Sequence, residues 1–435
     1  MSGRHPPRVT NLDRRTLLLA AGAGALTTIG ATACGTAAGQ PAGKVAVHGD
    51  NPSFAEPIAA AGAAMKSEAG LALVPEVIPS LESFEQVVKS SLRTSKTPDL
   101  LKYWSGYRLQ DLARTGGLVD LTDVWQNVAA KGWVDPALRS AFTYRGKVYG
   151  LPMNLAYWVF YYNTEVFKEN GLNKPETWDD FLHACKTLKR AGITPMHAAT
   201  IGRWPSFIWF GEVLSRQDPQ FYEDLLNGRE RYTDPRTERA MRTIGDFAEN
   251  GWFTSLDMDT NIAAAQMVHG KVGMVPCGTW LGATIVGAGG KIGKNIDAFL
   301  LPMQNPKAKP SMIFEASAFA STVKGPDRKE AHKAAEYWLH PKVAKGFAHA
   351  LQDGSPNPKV PAANPALEHI AGTVRDKKLR MLNRFWELGP PELVESTVDD
   401  LAAFMLNPSS YRSVLKTMQE RADEAWRVWR EAEKA

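Results

Sequence analysis

Residues 147–181 read KVYGLPMNLAYWVFYYNTEVFKENGLNKPETWDDF, and this stretch decides the fold. Lys147 to Gly150 form a short extended piece, and Pro152 removes a backbone donor just after it. Tyr157 to Tyr162 are aromatic or β-branched without alternation, which predicts a strand buried on both faces of a helix-covered sheet. Asn163 begins a helical turn carrying Phe167, and Gly171 ends it. Thr177 is placed to cap the helix around Trp178 and Phe181. Physics alone therefore yields strand, short helix, loop and capped helix.

The order of residues says more. Gly150-Leu151-Pro152, the strand ending Tyr161-Tyr162-Asn163, the Phe167-Lys168 and Gly171-Leu172 pairs, and Thr177-Trp178-Asp179-Asp180-Phe181 resemble the central segment of extracellular solute-binding proteins of ABC importers. The similarity is to the sugar-binding branch that includes maltose-binding protein. Many unlike residues agreeing in order make this far more specific than a short pattern. The resemblance extends to Pro98–Leu101, Gly116–Leu121, Met267–Met274 followed by Gly278-Thr279-Trp280, and Gly354–Pro358. It also covers Phe299–Met303, taken as the strand with the family's Leu-Pro pair, and the closing helix with Val414, Leu415, Met418, Ala422 and Trp426. It implies an α/β fold of two lobes joined by a hinge. The expected division is 44–153 with 318–362 for lobe 1, and 154–317 with 363–435 for lobe 2.

Composition sets the outer limits. At 435 residues the chain exceeds one ordinary core. A hydrophobic share of 44% and a charged share of 22% are those of a globular protein. The net charge of +5 is mild and forms no dense basic stripe, which excludes nucleic acid as the expected partner. The N-terminus carries Arg4, Arg8, Arg14 and Arg15 before a short apolar run, Thr16 to Leu26. This reads as a signal peptide over 1–33, too short to anchor the chain permanently. Asp13 to Leu18 resemble a twin-arginine export motif. Ala31-Thr32-Ala33-Cys34-Gly35 resemble a lipobox, with Ala31 where Leu or Val is usual. Lipidation at Cys34, with a tether over 34–43 and extracytoplasmic anchoring to the cell membrane, is the expectation; the alternative is a soluble secreted protein cut near the same place. Cys185 and Cys277 are read as buried free thiols rather than a disulfide. No Cys/His spacing suggests a metal site, and no cofactor is expected.

A sugar offers hydroxyls, which need carboxylates, amides and Arg, and C–H faces, which need flat aromatics. Such groups belong at strand ends in a cleft between α/β lobes. The resemblance places a sugar-stacking Trp at Trp280, after Gly278 and Thr279. It places Trp104, Tyr107 and Arg108 in the first ligand loop, and Trp204 and Phe207 where relatives carry a stacking aromatic. Asp50 and Asn51 match positions that bind hydroxyls, although Asp50 also suits a helix N-cap. Asn154 and Tyr157 lie where the chain first crosses between lobes. Glu315, near the second crossing, suits either a hydroxyl or a hinge salt bridge. Trp386 falls where relatives add another aromatic, and core packing is its other reading.

The expected function is a monomeric substrate-binding lipoprotein that delivers a sugar to two permease subunits and an ATPase. The rivals are a binder of polyamine, metal chelate or phosphodiester, and a secreted carbohydrate-active enzyme. Hydrolysis needs two convergent carboxylates. The pairs Asp179-Asp180 and Asp399-Asp400 read instead as solvated helix faces, and no nucleophile, metalloprotease or phosphate-loop motif is present.

Overall fold

The computed structural model describes residues 43–434. The expected export signal, Cys34 and all but the last residue of the expected tether lie outside them. In chain order, β1 (Lys44–Gly49), β2 (Ala72–Val77) and β3 (Leu100–Tyr103) open the first lobe. A small hairpin, β4 (Thr143–Tyr144) with β5 (Lys147–Val148), precedes β6 (Leu151–Pro152). The second lobe contains β7 (Ala156–Asn163), β8 (Thr194–Met196), β9 (Val272–Gly278), β10 (Ile296–Phe299) and β11 (Ser311–Glu315). The chain returns to the first lobe for β12 (Ala318–Ser321), and β13 (Arg380–Asn383) lies in the second.

The first sheet has the order β2-β1-β3-β12-β6. Its first three strands are parallel, and β12 runs back against β3, pairing Ala318 with Tyr103. The second sheet has the order β13-β11-β7-β9-β8. All eight residues of β7 are buried, as the unalternating run at Tyr157–Tyr162 predicts. One edge of β7 pairs with β9, aligning Trp158 with Gly278. The other edge is shared by β11 near Tyr157 and β10 near Phe160.

Local signals explain the helix ends. The Asn163 side chain accepts from the backbone N–H groups of Glu165 and Val166, and Gly171 takes φ +67°. Thr177 accepts from Asp180 N while the Asp180 carboxylate accepts from Thr177 N at 2.9 Å, a reciprocal capping box. Asp179 and Asp180 are both exposed, as the solvated-face reading has it, and Asp180 in addition closes the cap. Two expectations are corrected. The strand assigned to Phe299–Met303 ends at Phe299, because Pro302 and the residues after it form a loop and the pairing lies upstream on Ile296–Phe299. Asp399 and Asp400 are not simply solvated: Asp399 binds Arg203 at 2.8 Å, and Asp400 sits 3.4 Å from Arg421. Cys185 and Cys277 are both free and buried.

Three segments connect the lobes, at 153–155, 316–317 and 352–364. Asn154 donates to the buried Asp353 carboxylate at 2.8 Å and accepts from Ser317 N at 3.0 Å, so one amide ties all three. Thr279 donates to the other Asp353 oxygen, and Tyr157 N donates to Thr279 Oγ1 at 3.0 Å. Gly354 lies so close to Leu155 that a Cβ there would sit 2.1 Å from the Leu155 carbonyl oxygen. The hinge is a fully bonded polar knot in an apolar setting, where each partner removes a desolvation cost.

Candidate functional site

Loops at the ends of β1, β3, β9, β11 and β13 meet in a cleft of about 390 Å³ between the lobes. Trp104 follows β3 in the first lobe. Trp280 follows β9 in a short 3-10 turn, Thr279–Leu281. Trp204 and Phe207 precede and open the helix Phe207–Gln217, and Trp386 lies in the turn Phe385–Glu387 after β13. These five rings form a continuous arc. Trp280 and Trp204 are 6.0 Å apart at 60°, Trp204 and Phe207 6.4 Å, Phe207 and Trp386 5.9 Å, and Trp386 and Trp104 6.4 Å. Trp204 and Trp280 are half-buried, so their faces remain open to a ligand, whereas the other three are buried. Trp280 Nε1 is buried with no hydrogen-bond partner, turned toward Gly278.

The polar groups of the wall are paired. Lys102 donates to Asp50 at 2.7 Å, and its ammonium lies 5.1 Å from the ring centres of both Phe54 and Trp104. Asn51, not Asp50, caps the following turn by accepting from Ser53 N, which leaves Asp50 facing the cleft. In the second lobe, Arg384 bonds Glu315 and, through two nitrogens, Glu387. Glu315 Oε2 also accepts from Trp158 Nε1 at 3.1 Å. Burial alone would lower the Arg384 pKa, but the two carboxylates more than reverse it and hold the guanidinium above its ordinary value.

The cleft wall gathers Trp280, Trp104, Asp50, Asn51, Trp204, Phe207, Glu315 and Trp386. The other residues expected at the site stand outside it. Asn154, Tyr157 and Thr279 belong to the hinge knot, and Gly278 ends β9 behind Trp280. Tyr107 packs its ring on Trp426 and Trp429 of the C-terminal helix Tyr411–Lys434. Arg108 lies behind the wall, 3.9 Å from the Trp386 ring centre, and bonds Glu85 of its own lobe and Glu395 of the other.

The family model described as bacterial extracellular solute-binding protein matches residues 47–345. The chain belongs to this family. A "Probable sugar-binding periplasmic protein" of Mesorhizobium japonicum is 27% identical over 184 residues, which are 40% of this chain and 43% of that one. An "Uncharacterized ABC transporter extracellular-binding protein" of Pyrococcus horikoshii is 23% identical over 233 residues, 52% of each chain. The chain spans about half the length of the curated relatives it matches. The solved bacterial solute receptor AcbH, described as preferring β-D-galactopyranose, superposes with a TM-score of 0.78 at 18% identity, covering 88% of this chain and 98% of that one. A chitin oligosaccharide binding protein superposes with a TM-score of 0.75 at 18% identity, covering 88% and 100%. These structures establish the two-lobed α/β fold.

In this solute-binding protein, sequence reasoning missed Lys102, Arg384, Glu387 and Arg203. Lys102 was visible as the cation at the end of the third strand, and Arg384 as the neighbour of Trp386 by two positions. Arg203 has φ +64° and ψ −57°, and Trp204 N donates across it to the Gly202 carbonyl at 2.8 Å. This is the tight three-residue turn with positive φ, rare and strained, costing on the order of 1–3 kcal/mol. Its guanidinium is held by both Asp399 oxygens, at 2.8 and 2.9 Å, and by Glu395 at 3.3 Å. That clamp fixes the turn and so sets the angle of Trp204 at the cleft mouth.

Proposed function

We propose that this solute-binding protein captures a sugar in the interlobe cleft and delivers it to an ABC importer. The observation that carries the reading is the five-ring arc with paired carboxylates beside it. Open Trp faces meet sugar C–H groups, and Asp50 and Glu315 can accept from hydroxyls. The relatives' descriptions as sugar-binding proteins support it. In this reading the lobes comprise 44–153 with 318–362 and 154–317 with 363–435, and they close by bending at Asn154, Ser317 and Asp353. A ligand touching both lobes favours the closed state by its differential affinity for it. The chain acts as a monomer, exported by its twin-arginine-like signal and lipidated at Cys34. Two permease subunits and an ATPase receive its cargo, and no catalytic step takes place.

Among the described residues, no helix is long and apolar enough to cross a membrane, and no cluster of His, Cys, Asp and Glu is placed to hold a metal. A thermal-shift panel of mono- and oligosaccharides, amino acids, polyamines and phosphate esters tests the reading. A bound ligand at 100 times its Kd stabilises by about 2.7 kcal/mol. Stabilisation by a saccharide is expected; stabilisation confined to polyamines or phosphate esters would overturn the ligand class.

A further inference from the structure

Among the described residues, Lys102 and Arg384 are the cations that line the cleft. A guanidinium opening into a cleft is well shaped to receive a ligand carboxylate or phosphate through two parallel hydrogen bonds. Here that fork is already filled. Glu387 Oε2 accepts from Arg384 Nε at 2.9 Å, its Oε1 accepts from Nη2, and Nη1 goes to Glu315. Glu387 is 2% exposed and does not line the cleft, so it reaches Arg384 from behind. Lys102 is neutralised in the same way by Asp50. The wall itself carries three carboxylates, Asp50, Glu82 and Glu315, against the two cations, and Glu387 adds a fourth just behind. A further negative charge entering such a cleft meets an excess of like charge with no free cation, and is disfavoured at close range.

We propose that Glu387 is a specificity-determining residue: by filling the Arg384 fork it makes the cleft a site for uncharged saccharides and shuts out acidic ones. The excluded class comprises uronic acids and sugar phosphates. This rests on the sugar reading and adds to it a rule about charge. The rule predicts that converting Glu387 to an uncharged side chain leaves Arg384 with one carboxylate partner instead of two, so that its positive charge is no longer cancelled from behind and an acidic ligand is repelled less.

The test is titration calorimetry with matched pairs: glucose with glucuronate, galactose with galacturonate, and each hexose with its 6-phosphate. Wild-type protein, Glu387→Gln and Glu387→Asp are compared at low ionic strength. The wild type is expected to bind at least one neutral sugar about a hundredfold more tightly than its acidic partner. Glu387→Gln is expected to shrink that ratio at least about tenfold, mainly by tighter binding of the acid, while Glu387→Asp keeps the wild-type preference. A purely structural role would weaken both members of a pair together and leave the ratio unchanged, which would overturn the proposal. Should Glu387→Gln fail to fold, the wild type alone decides: an acidic sugar bound as tightly as its neutral partner overturns the charge rule and leaves the sugar reading intact. Should no saccharide of either charge bind, the sugar reading falls, and the charge rule with it.

Discussion

Trp280 offers the most open ring face in the arc together with Trp204, so truncating it removes contact area without opening the core. Trp280→Ala is expected to weaken sugar binding by about 2 kcal/mol, roughly thirtyfold, as anchor residues do. Its melting midpoint should stay close to the wild type's, and a midpoint loss matching the affinity loss would mean that the ring is structural. Two buried groups contribute to the pH dependence with opposite signs. Burial pushes Asp353 up to about 6, against hydrogen bonds from Asn154 and Thr279. The native state therefore takes up that proton near pH 6 and the unfolded chain only near 4, so this group adds stability as pH falls through 6. Burial lowers His197 to about 4, where it sits between Thr254 and Thr260. The unfolded chain takes up that proton near 6.5, so His197 removes stability as pH falls over the same window. The two offset each other in the wild type. Asp353→Asn should therefore steepen the loss of melting temperature between pH 6.5 and 4, and an unchanged slope would contradict the assignment. The aromatic half of the wall was legible in sequence because each ring sits at a strand end or helix start. The charged half was not: Lys102 with Asp50, and Arg384 with Glu315 and Glu387, are pairings that only the folded chain brings about.

At the scale of elements, the segment after β3 brings the backbones of the two lobes close together at Gly106 and Glu387. Gly106 has φ +62°, and a Cβ there would lie 2.2 Å from the Glu387 carbonyl oxygen. An alanine would add about 1–2 kcal/mol of left-handed backbone strain and would also wedge the lobes apart. Gly106→Ala is thus expected to lower sugar affinity at least about tenfold, and to enlarge the sugar-bound radius of gyration in small-angle scattering. Wild-type affinity in that variant would show that the approach is not needed for closure. Element signals of this local kind read well from sequence. Asn163, Thr177 and Gly171 act within a few residues, and the β7 run announces its burial by failing to alternate. The misplaced strand at Phe299–Met303 shows the limit: its apolar residues suit either state, and the pairing of Phe299 with Phe160 decides where the strand stops.

For the whole molecule, the order of strands was legible through resemblance rather than periodicity. No local pattern says that β12 returns to the first sheet or that β13 belongs to the second. The hinge shows the same gap. Asn154 was identified as a crossing residue, but Asp353, which binds it across 199 positions, gave no local signal. Anchoring is tested on the intact chain: Cys34→Ala should release the protein from membranes into the soluble fraction, and continued membrane association would sink the lipid assignment.

In the proposed reading, one ligand is gripped by both lobes. Trp104 and Trp280 come from different sheets and bracket the arc. Titration calorimetry with the saccharide that most stabilises the wild type, repeated on Trp104→Ala and Trp280→Ala, decides whether both lobes take part. One-to-one binding to the wild type and lost affinity in both variants are expected. Wild-type binding by Trp104→Ala would place the ligand on the second lobe alone and contradict the reading.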